Sequence, residues 1–173
     1  AQPYSRATGT EVIYDPGSNF VQIYKSDEVS GTPFFMDKFV NGRVILMDDK
    51  VTDTMEMDFD GFKQEIIIKK DDAYKVLKLS NTKGFVFLDK DDEVSDYFTT
   101  GFNNPDLDIL PDNYVKVIYD GDVKLIADFK VVYKEENFST AVNGVASNKY
   151  ESEITYYIIR ENGEYKKTQM RNR

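Results

Sequence analysis

The sequence predicts an all-β protein, an antiparallel meander of about ten strands that forms a curved sheet, a barrel or a sandwich. The clearest observation is the stretch 114–133, where apolar residues alternate with polar ones on both sides of Asp120-Gly121. Turn signals recur about every eight to twelve residues elsewhere, which is typical of strands joined by hairpins. Aromatic residues make up 14% of the chain, and they favour strands over helices.

Asp120-Gly121 predicts a tight hairpin turn, because such a turn requires positive φ angles that Gly adopts without strain. After the turn, the odd-numbered positions from Val123 to Tyr133 are all apolar. This second strand is about 11 residues or about 36 Å long, which favours a curved sheet over a flat one. We expect Gly121→Val to destabilise the hairpin strongly, since a β-branched residue resists positive φ.

Residues 1–10 are small and polar and predict a loose N-terminal arm, followed by a single β domain over residues 11–170. The other strands are predicted from apolar alternation or short apolar runs bounded by turns. In the first half they are Glu11–Tyr14, Phe20–Tyr24, an apolar segment within Lys38–Asp48 with a turn at Asn41-Gly42, Met55–Phe59, Gln64–Lys70, Ala73–Leu79 and Phe85–Leu88. In the second half they are Tyr97–Phe102, the hairpin above, Glu153–Arg160 and Glu164–Thr168.

Several glycines are assigned to turns on the same grounds. Gly61, Gly84 and Gly121 are each expected at a turn, and Asn162-Gly163 predicts a type I′ turn between the last two strands. Residues 135–149 are small and polar and predict a mobile excursion between strands.

Composition excludes several classes of function. The net charge of −9, with 31 acidic against 22 basic residues, argues against a nucleic-acid partner. The chain has no Cys and no His, which removes disulfides, thiol nucleophiles and the commonest metal ligands and general bases. No apolar run approaches the ~20 residues of a membrane helix, so the chain is not expected to span a membrane. We therefore assign no catalytic residue, cofactor or metal, and predict that the protein is not an enzyme.

Acidic residues cluster in several loops, and Asp89–Asp96 is the best calcium candidate among them. It lacks the spacing of known calcium loops, and solvated turn residues are the favoured interpretation. Paired carboxylates could instead hydrolyse glycosides. No acid is expected inside an apolar strand face, however, and Glu65 and Glu153 are expected to point outward.

Aromatic residues offer another possible site, either as the lining of a ligand pocket or as a glycan platform. The residues concerned are Phe34, Phe35, Tyr97, Phe98, Phe102, Tyr156 and Tyr157. Adjacent aromatics on a strand point to opposite faces, so one of each pair belongs to the core. The core interpretation is the favoured one.

Two short sequences indicate export. Ala1-Gln2-Pro3 resembles a mature N-terminus left after removal of a signal peptide, with a cytosolic chain as the alternative. Thr54, within Asp53-Thr54-Met55, fits a short acceptor pattern for O-glycosylation in exported Bacteroidota proteins. We expect a secreted protein, periplasmic or associated with the outer membrane, with Thr54 as a modification site.

Three segments carry a resemblance to a known group of proteins: Gly31–Phe39 followed by Asn41–Val44, the hairpin Tyr119–Ile126, and Tyr156–Ile159 with Lys166-Lys167. Over residues 31–170 the chain resembles a family of small uncharacterised exported β-proteins of Bacteroidota. That family has no assigned activity, so the resemblance implies a cell-envelope location and no functional residue.

The sequence therefore predicts a non-enzymatic exported envelope protein, an accessory or interaction subunit that binds a protein partner through unpaired strand edges. The alternative is a lipocalin-like carrier of a small apolar or glycan ligand, which an apolar cavity would favour and a filled core would oppose. A small hydrolase is a third hypothesis, which a cleft with two converging acids would favour.

Overall fold

The structure, a computed structural model, describes residues 8–135 and 148–171 of the 173-residue chain. These residues form thirteen β-strands, one short 3-10 helix at Pro105–Leu107 and no α-helix. The predicted all-β class is therefore confirmed. No helix in the described ranges is long and apolar enough to cross a membrane.

The strands are β1 Gly9–Tyr14, β2 Phe20–Ser26, β3 Val29–Ser30, β4 Val40–Leu46, β5 Met55–Asp60, β6 Glu65–Lys70, β7 Ala73–Val76, β8 Thr82–Leu88, β9 Val94–Thr99, β10 Val115–Asp120, β11 Lys124–Lys134, β12 Asn148–Ile159 and β13 Tyr165–Thr168. Their order in the sheet is β1-β2-β7-β6-β5-β4-β8-β9-β10-β11-β12-β13, with every neighbouring pair antiparallel. The order departs from a simple meander only at β2–β7 and β4–β8.

The short strand β3 brings the two ends of this sheet together. It pairs in parallel with the start of β12 through Asn148 and Lys149. On its other side, the Thr10 N–H of β1 donates a 2.9 Å hydrogen bond to the Gly31 carbonyl, directly after β3. The sheet is consequently a nearly closed, barrel-like structure. Gly9 and Thr10, assigned to the arm from sequence, belong to β1, and residues 1–7 lie outside the described ranges.

An irregular segment, Gly31–Phe39, packs beside β5 and takes the place of a neighbouring strand. β4 pairs with β5 only at Val40–Gly42. Beyond that point the Phe35 N–H donates to the Phe59 carbonyl and the Gly61 N–H donates to the Pro33 carbonyl, both at 2.9 Å. As a result, the second half of β5 is buried on both faces.

The main core lies on the Met57 and Phe59 face of β5 and consists largely of Phe rings. The Phe59 ring lies 5.3 Å from Phe85, 5.5 Å from Phe98 and 6.4 Å from Phe129. Phe35 from the covering segment packs edge-on against Phe98 at 4.9 Å. Offset and edge-to-face rings at these distances fill the interior densely.

Two smaller apolar clusters lie on other faces of the same sheet. One joins Ile67 of β6 to Val21, Phe34 and Val76, while its neighbours Ile66 and Ile68 face the main core. The three isoleucines are divided between two faces of the sheet, as the two-residue period of a strand requires. The other cluster packs Ile109, Val115, Ile126 and Tyr157 together, because the loop around the 3-10 helix covers one face of β11.

The hairpin of β10 and β11 forms in the predicted place, but its glycine does not behave as predicted. Gly121 has no positive φ, so the expectation of a turn that requires Gly there is wrong. Gly42 and Gly84 lie within β4 and β8 rather than at turns. Glycine is needed at those positions because the neighbouring strands approach closely. A Cβ on Gly84, for example, would lie 2.3 Å from the Phe98 carbonyl oxygen.

Two other turns do depend on positive φ. Gly17, in the Asp-Pro-Gly turn before β2, has φ +83°, and Gly163 before β13 has φ +85°. Asn162 has no positive φ, so the turn at Asn162-Gly163 is not the predicted type I′, which needs positive φ at both central residues. The excursion predicted for residues 135–149 falls mostly on 136–147, outside the described ranges; Asn148 and Lys149 belong to β12.

Candidate functional site

The first candidate site is an opening in the sheet between β12 and β1. β11 pairs with β12 along its whole length. On the other side of β12, β3 pairs with Asn148 and Lys149, and β13 pairs with Tyr156–Ile159. Among the described residues no strand pairs with the stretch between them, Glu151–Thr155. Its main-chain groups form an exposed edge about 16 Å long at 3.3 Å per residue.

β1 forms the opposite border of this opening. It is joined to the end of β3 by the hydrogen bond from Thr10 to Gly31, and it continues past Thr10 to Tyr14. β2 is its only partner strand in the part of the chain that the structure describes. The opening is therefore bounded by two strand edges that diverge from their shared contact with β3.

A cluster of aromatic rings joins β11 and β12 to the turn after β5. Phe62, from the turn after β5, packs against Tyr133 at 6.2 Å and Tyr150 at 5.9 Å, and it remains 41% exposed. The Lys63 ammonium lies 5.5 Å from the Phe62 ring and 5.7 Å from the ring of Tyr14. Burial raises the pKa of Tyr150 to about 12, so its phenol is neutral at physiological pH.

Asp60 fixes this aromatic cluster in place. Its Oδ1 accepts the N–H groups of Phe62 and Lys63, each at 2.9 Å, and its Oδ2 accepts the Tyr14 hydroxyl. Burial raises the pKa of Asp60, while these hydrogen bonds act in the opposite direction. These three hydrogen bonds hold the Phe62–Lys63 turn and the Tyr14 side chain in position. The role of Asp60 is therefore structural.

An exposed apolar strip continues from the opening towards β13. Ile154, 44% exposed, and Tyr156 line a shallow groove of about 300 Å³ with Thr168 and Met170 where β13 ends. Met170 also borders a second hollow of about 250 Å³. Exposed apolar side chains beside an unpaired edge are a feature of protein interaction surfaces.

The second candidate site is a cleft between the β1–β2 hairpin, the Gly31–Phe39 segment and strands β5 to β7. Asp58 of β5 lines it and is only 1% exposed. Its Oδ1 accepts the N–H groups of Met36 at 3.0 Å and Phe59 at 2.7 Å. Burial raises the pKa of Asp58 to about 8.

Buried acids correct an expectation from the sequence. No carboxyl was expected inside a strand face, yet Asp58, Asp60 and Asp128 are all buried. Asp128 is buried on β11, where the Lys130 ammonium at 2.9 Å opposes the rise in pKa that burial causes. Each acid alternates with apolar residues as an outward-facing one would, so the sequence carries no signal of its burial. Glu153 is exposed as expected, and Glu65 is partly buried.

The other residues singled out from sequence do not converge on a site. Thr54 is exposed before β5, where its Oγ1 accepts a hydrogen bond from the Arg43 Nε at 3.0 Å; its modification stays a prediction. The Asp89 carboxylate accepts the N–H groups of Asp91 and Glu93, which closes a turn. Within the described ranges, no group of three or more acidic side chains lies close enough to hold a metal ion.

The aromatic residues singled out from sequence separate into two groups. Phe34, Phe98 and Tyr157 are buried in the three clusters, and Phe35 packs against the main one. Tyr97, Phe102 and Tyr156 are half-buried. Phe34 alone of the seven also lines the Asp58 cleft.

Comparisons with protein-family models, with curated proteins and with solved structures find no match to this chain. The resemblance of residues 31–170 to exported Bacteroidota proteins therefore stays a prediction.

Proposed function

We propose that the protein is a non-enzymatic interaction subunit that binds a protein partner by strand addition at the opening between β12 and β1. The observation that carries this proposal is the Glu151–Thr155 edge, which lies between two paired stretches of the same strand. Its placement in the bacterial envelope rests on the resemblance of residues 31–170 to exported Bacteroidota proteins.

Main-chain pairing supplies the first part of the binding energy. An incoming strand satisfies N–H and C=O groups along Glu151–Thr155, and each hydrogen bond contributes about 1 kcal/mol net. A segment of about five residues fills the stretch between β3 and β13. The two flanking strands restrict where the incoming strand can pair, which sets its register.

Side chains supply the specificity. Ile154, 44% exposed, lies on the same face of the sheet as its cross-strand partner Phe129. An added strand therefore has an apolar neighbour on that face, and it has Glu151, Glu153 and Thr155 as neighbours on the other face. Glu151 is held by Lys134 at 2.6 Å and Lys149 at 2.9 Å, which leaves a salt-bridged, ordered border beside the edge.

A ligand inside the barrel has less support. Phe59, Phe85, Phe87 and Phe98 have no exposure, and their rings occupy the space that a carrier would leave open. The carrier alternative is favoured only by the cleft at Asp58, which lies on the other face of β5.

The test compares two substitutions of exposed serines. Lys on a strand edge opposes strand addition, so Ser152→Lys is expected to weaken binding of a partner isolated from native cell envelopes about tenfold or more. Ser80→Lys, in the exposed turn between β7 and β8, is the matched control and is expected to bind like the parent.

Hydrogen exchange identifies the pairing directly. In the complex, the alternate amides of Glu151–Thr155 that point away from β11 are expected to become protected, because they enter main-chain hydrogen bonds with the added strand. A partner that binds Ser152→Lys as tightly as the parent, or that leaves these amides unprotected, contradicts strand addition. So does the absence of any partner from the native envelope.

A further inference from the structure

The cleft beside Asp58 has the size of a small-molecule site and is separate from the strand edge. Its volume is about 730 Å³, within the range of about 300–1,000 Å³ that is typical of ligand pockets. The side chains that give it chemical character are Thr10, Tyr24, Lys25, Thr32, Phe34, Asp37, Lys38, Phe39, Glu56, Asp58, Lys69 and Tyr74.

Asp58 presents an unpartnered oxygen to this cleft. Both hydrogen bonds that it accepts go to Oδ1, and Oδ2 has no donor among the described residues. No fully buried side-chain oxygen in that part of the chain lacks a partner, so Oδ2 retains contact with the open space of the cleft. A carboxyl that is 1% exposed and has one oxygen unpartnered is an incomplete hydrogen-bonding group.

The charges that act on Asp58 are themselves negative. Asp60, two residues along the strand, and Asp37, across the cleft, both oppose its ionisation. No lysine of the described residues forms an ion pair with Asp58; Lys25 and Lys38 are exposed at the mouth, and the Lys25 ammonium donates to the Thr10 hydroxyl at 3.1 Å. The base of the cleft is therefore a position where a positive charge is favoured.

Aromatic rings form one wall beside this position. The Phe39 and Tyr74 rings pack 4.9 Å apart, and Phe34 meets Phe39 edge-on at 5.7 Å. Such a wall accommodates an apolar body, and ring faces attract cations.

The geometry points to a binding site for a small organic amine, with its ammonium group on Asp58 Oδ2 and its apolar body against Phe39 and Tyr74. A neutral hydroxyl group in the same place would gain one hydrogen bond but no charge pairing. The site therefore selects amines over alcohols of the same shape.

Binding is linked to the release of a proton. With a pKa of about 8, Asp58 is mostly protonated at pH 7, and pairing with an ammonium favours its ionised form. One proton then passes from Asp58 to the buffer, and affinity rises as the pH increases from 6 to 8. The other titratable groups facing the cleft are Asp37, Glu56, Lys25, Lys38, Lys69, Tyr24 and Tyr74, with Asp60 and Tyr14 behind it.

The first experiment titrates the whole chain with 2-phenylethylamine and with 2-phenylethanol by calorimetry at pH 7.5. We expect the amine to bind about tenfold more tightly than the alcohol. Asp58→Asn is expected to remove that preference, whereas Asp53→Asn, on the exposed loop before β5, is expected to keep it. Equal affinity for the two probes, no binding of the amine, or an unchanged preference in Asp58→Asn overturns the proposal.

The second experiment uses the unaltered chain, so it tests the amine site even if Asp58→Asn fails to fold. Amine binding is measured at pH 6.5 in two buffers with different enthalpies of ionisation. A difference between the two binding enthalpies that corresponds to about one released proton supports the site at Asp58. Identical enthalpies in both buffers contradict it.

Discussion

β5 and β12 have similar sequence patterns but very different environments. In Met55–Asp60 apolar residues alternate with acidic ones, and in β12 Ile154 and Tyr156 alternate with Glu153 and Thr155. In β5 the last four residues are all buried, including two carboxyls. In β12 the stretch Ser152–Ile154 is exposed, although its strand is twice as long.

The difference comes from what covers each strand. The Gly31–Phe39 segment and the β1–β2 hairpin pack over the Asp58 face of β5, so both of its faces are interior. The middle of β12 has a strand neighbour on one side only among the described residues. Alternation therefore determines which side chains share a face, and distant segments decide whether that face meets water.

Truncation of one apolar side chain on each strand gives the largest expected contrast. Phe59→Ala removes a fully buried ring from a cluster of four neighbouring rings, so we expect it to lower the free energy of unfolding by about 3–5 kcal/mol. Ile154→Ala, at an exposed position, is expected to change it by less than about 0.5 kcal/mol. Urea denaturation at pH 7 measures both. Similar losses in the two variants would mean that β12 is as enclosed as β5.

A pair of glycine substitutions tests a smaller effect, the close packing of the enclosed strands. A Cβ on Gly84 would meet main-chain atoms of Phe98 and Thr99 that cannot move aside, so Gly84→Ala is expected to destabilise by about 1–3 kcal/mol. A Cβ on Gly121 would meet only the ring and hydroxyl of the Tyr119 side chain, which is exposed and can rotate away. In thermal melts, the Tm of Gly121→Ala is expected to be close to that of the parent. A larger loss at Gly121 than at Gly84 would restore the turn-based interpretation of the hairpin.

The acids of the two strands predict opposite responses to pH. The pKa of Asp58 is raised from 3.8 to about 8 in the folded state, so its contribution to stability is present below about pH 4 and declines as the pH rises towards 8. Glu151 has its pKa lowered to about 2, so its contribution is lost only as the pH falls below about 4.5.

Of Asp58 and Glu151, only Asp58 therefore makes the stability depend on pH between 6 and 7. When the pH rises from 6 to 7, the free energy of unfolding of the parent is expected to fall by about 1 kcal/mol. The free energy of unfolding of Asp58→Asn is expected to fall by less. Asp60 and Asp128 act in the same direction in both proteins. Urea midpoints at the two pH values measure the difference. An equal slope in the parent and in Asp58→Asn would place the titration elsewhere.

Local pattern was sufficient for most strands. The hairpin of β10 and β11 and the division of Ile66, Ile67 and Ile68 between two faces follow from period-two alternation, which acts within a few residues. The turn at Gly17 follows from Asp-Pro-Gly chemistry, which is equally local.

The candidate sites were not predictable in the same way. Nothing near Asp58 in the sequence indicates that Met36 will donate a hydrogen bond to it, since the two are separated by 22 positions. The strand-addition hypothesis needed only an unpaired edge, but the position of that edge on β12 depends on where β3 and β13 pair.

The sequence by itself determined that this chain is built from antiparallel strands, because side-chain direction along a strand is a property of neighbouring residues. Only the tertiary structure decided that β2 pairs with β7 and β4 with β8, that the Gly31–Phe39 segment covers β5, and that β12 keeps an open stretch. Those features depend on contacts between residues far apart in the chain, whose free energy no local pattern records.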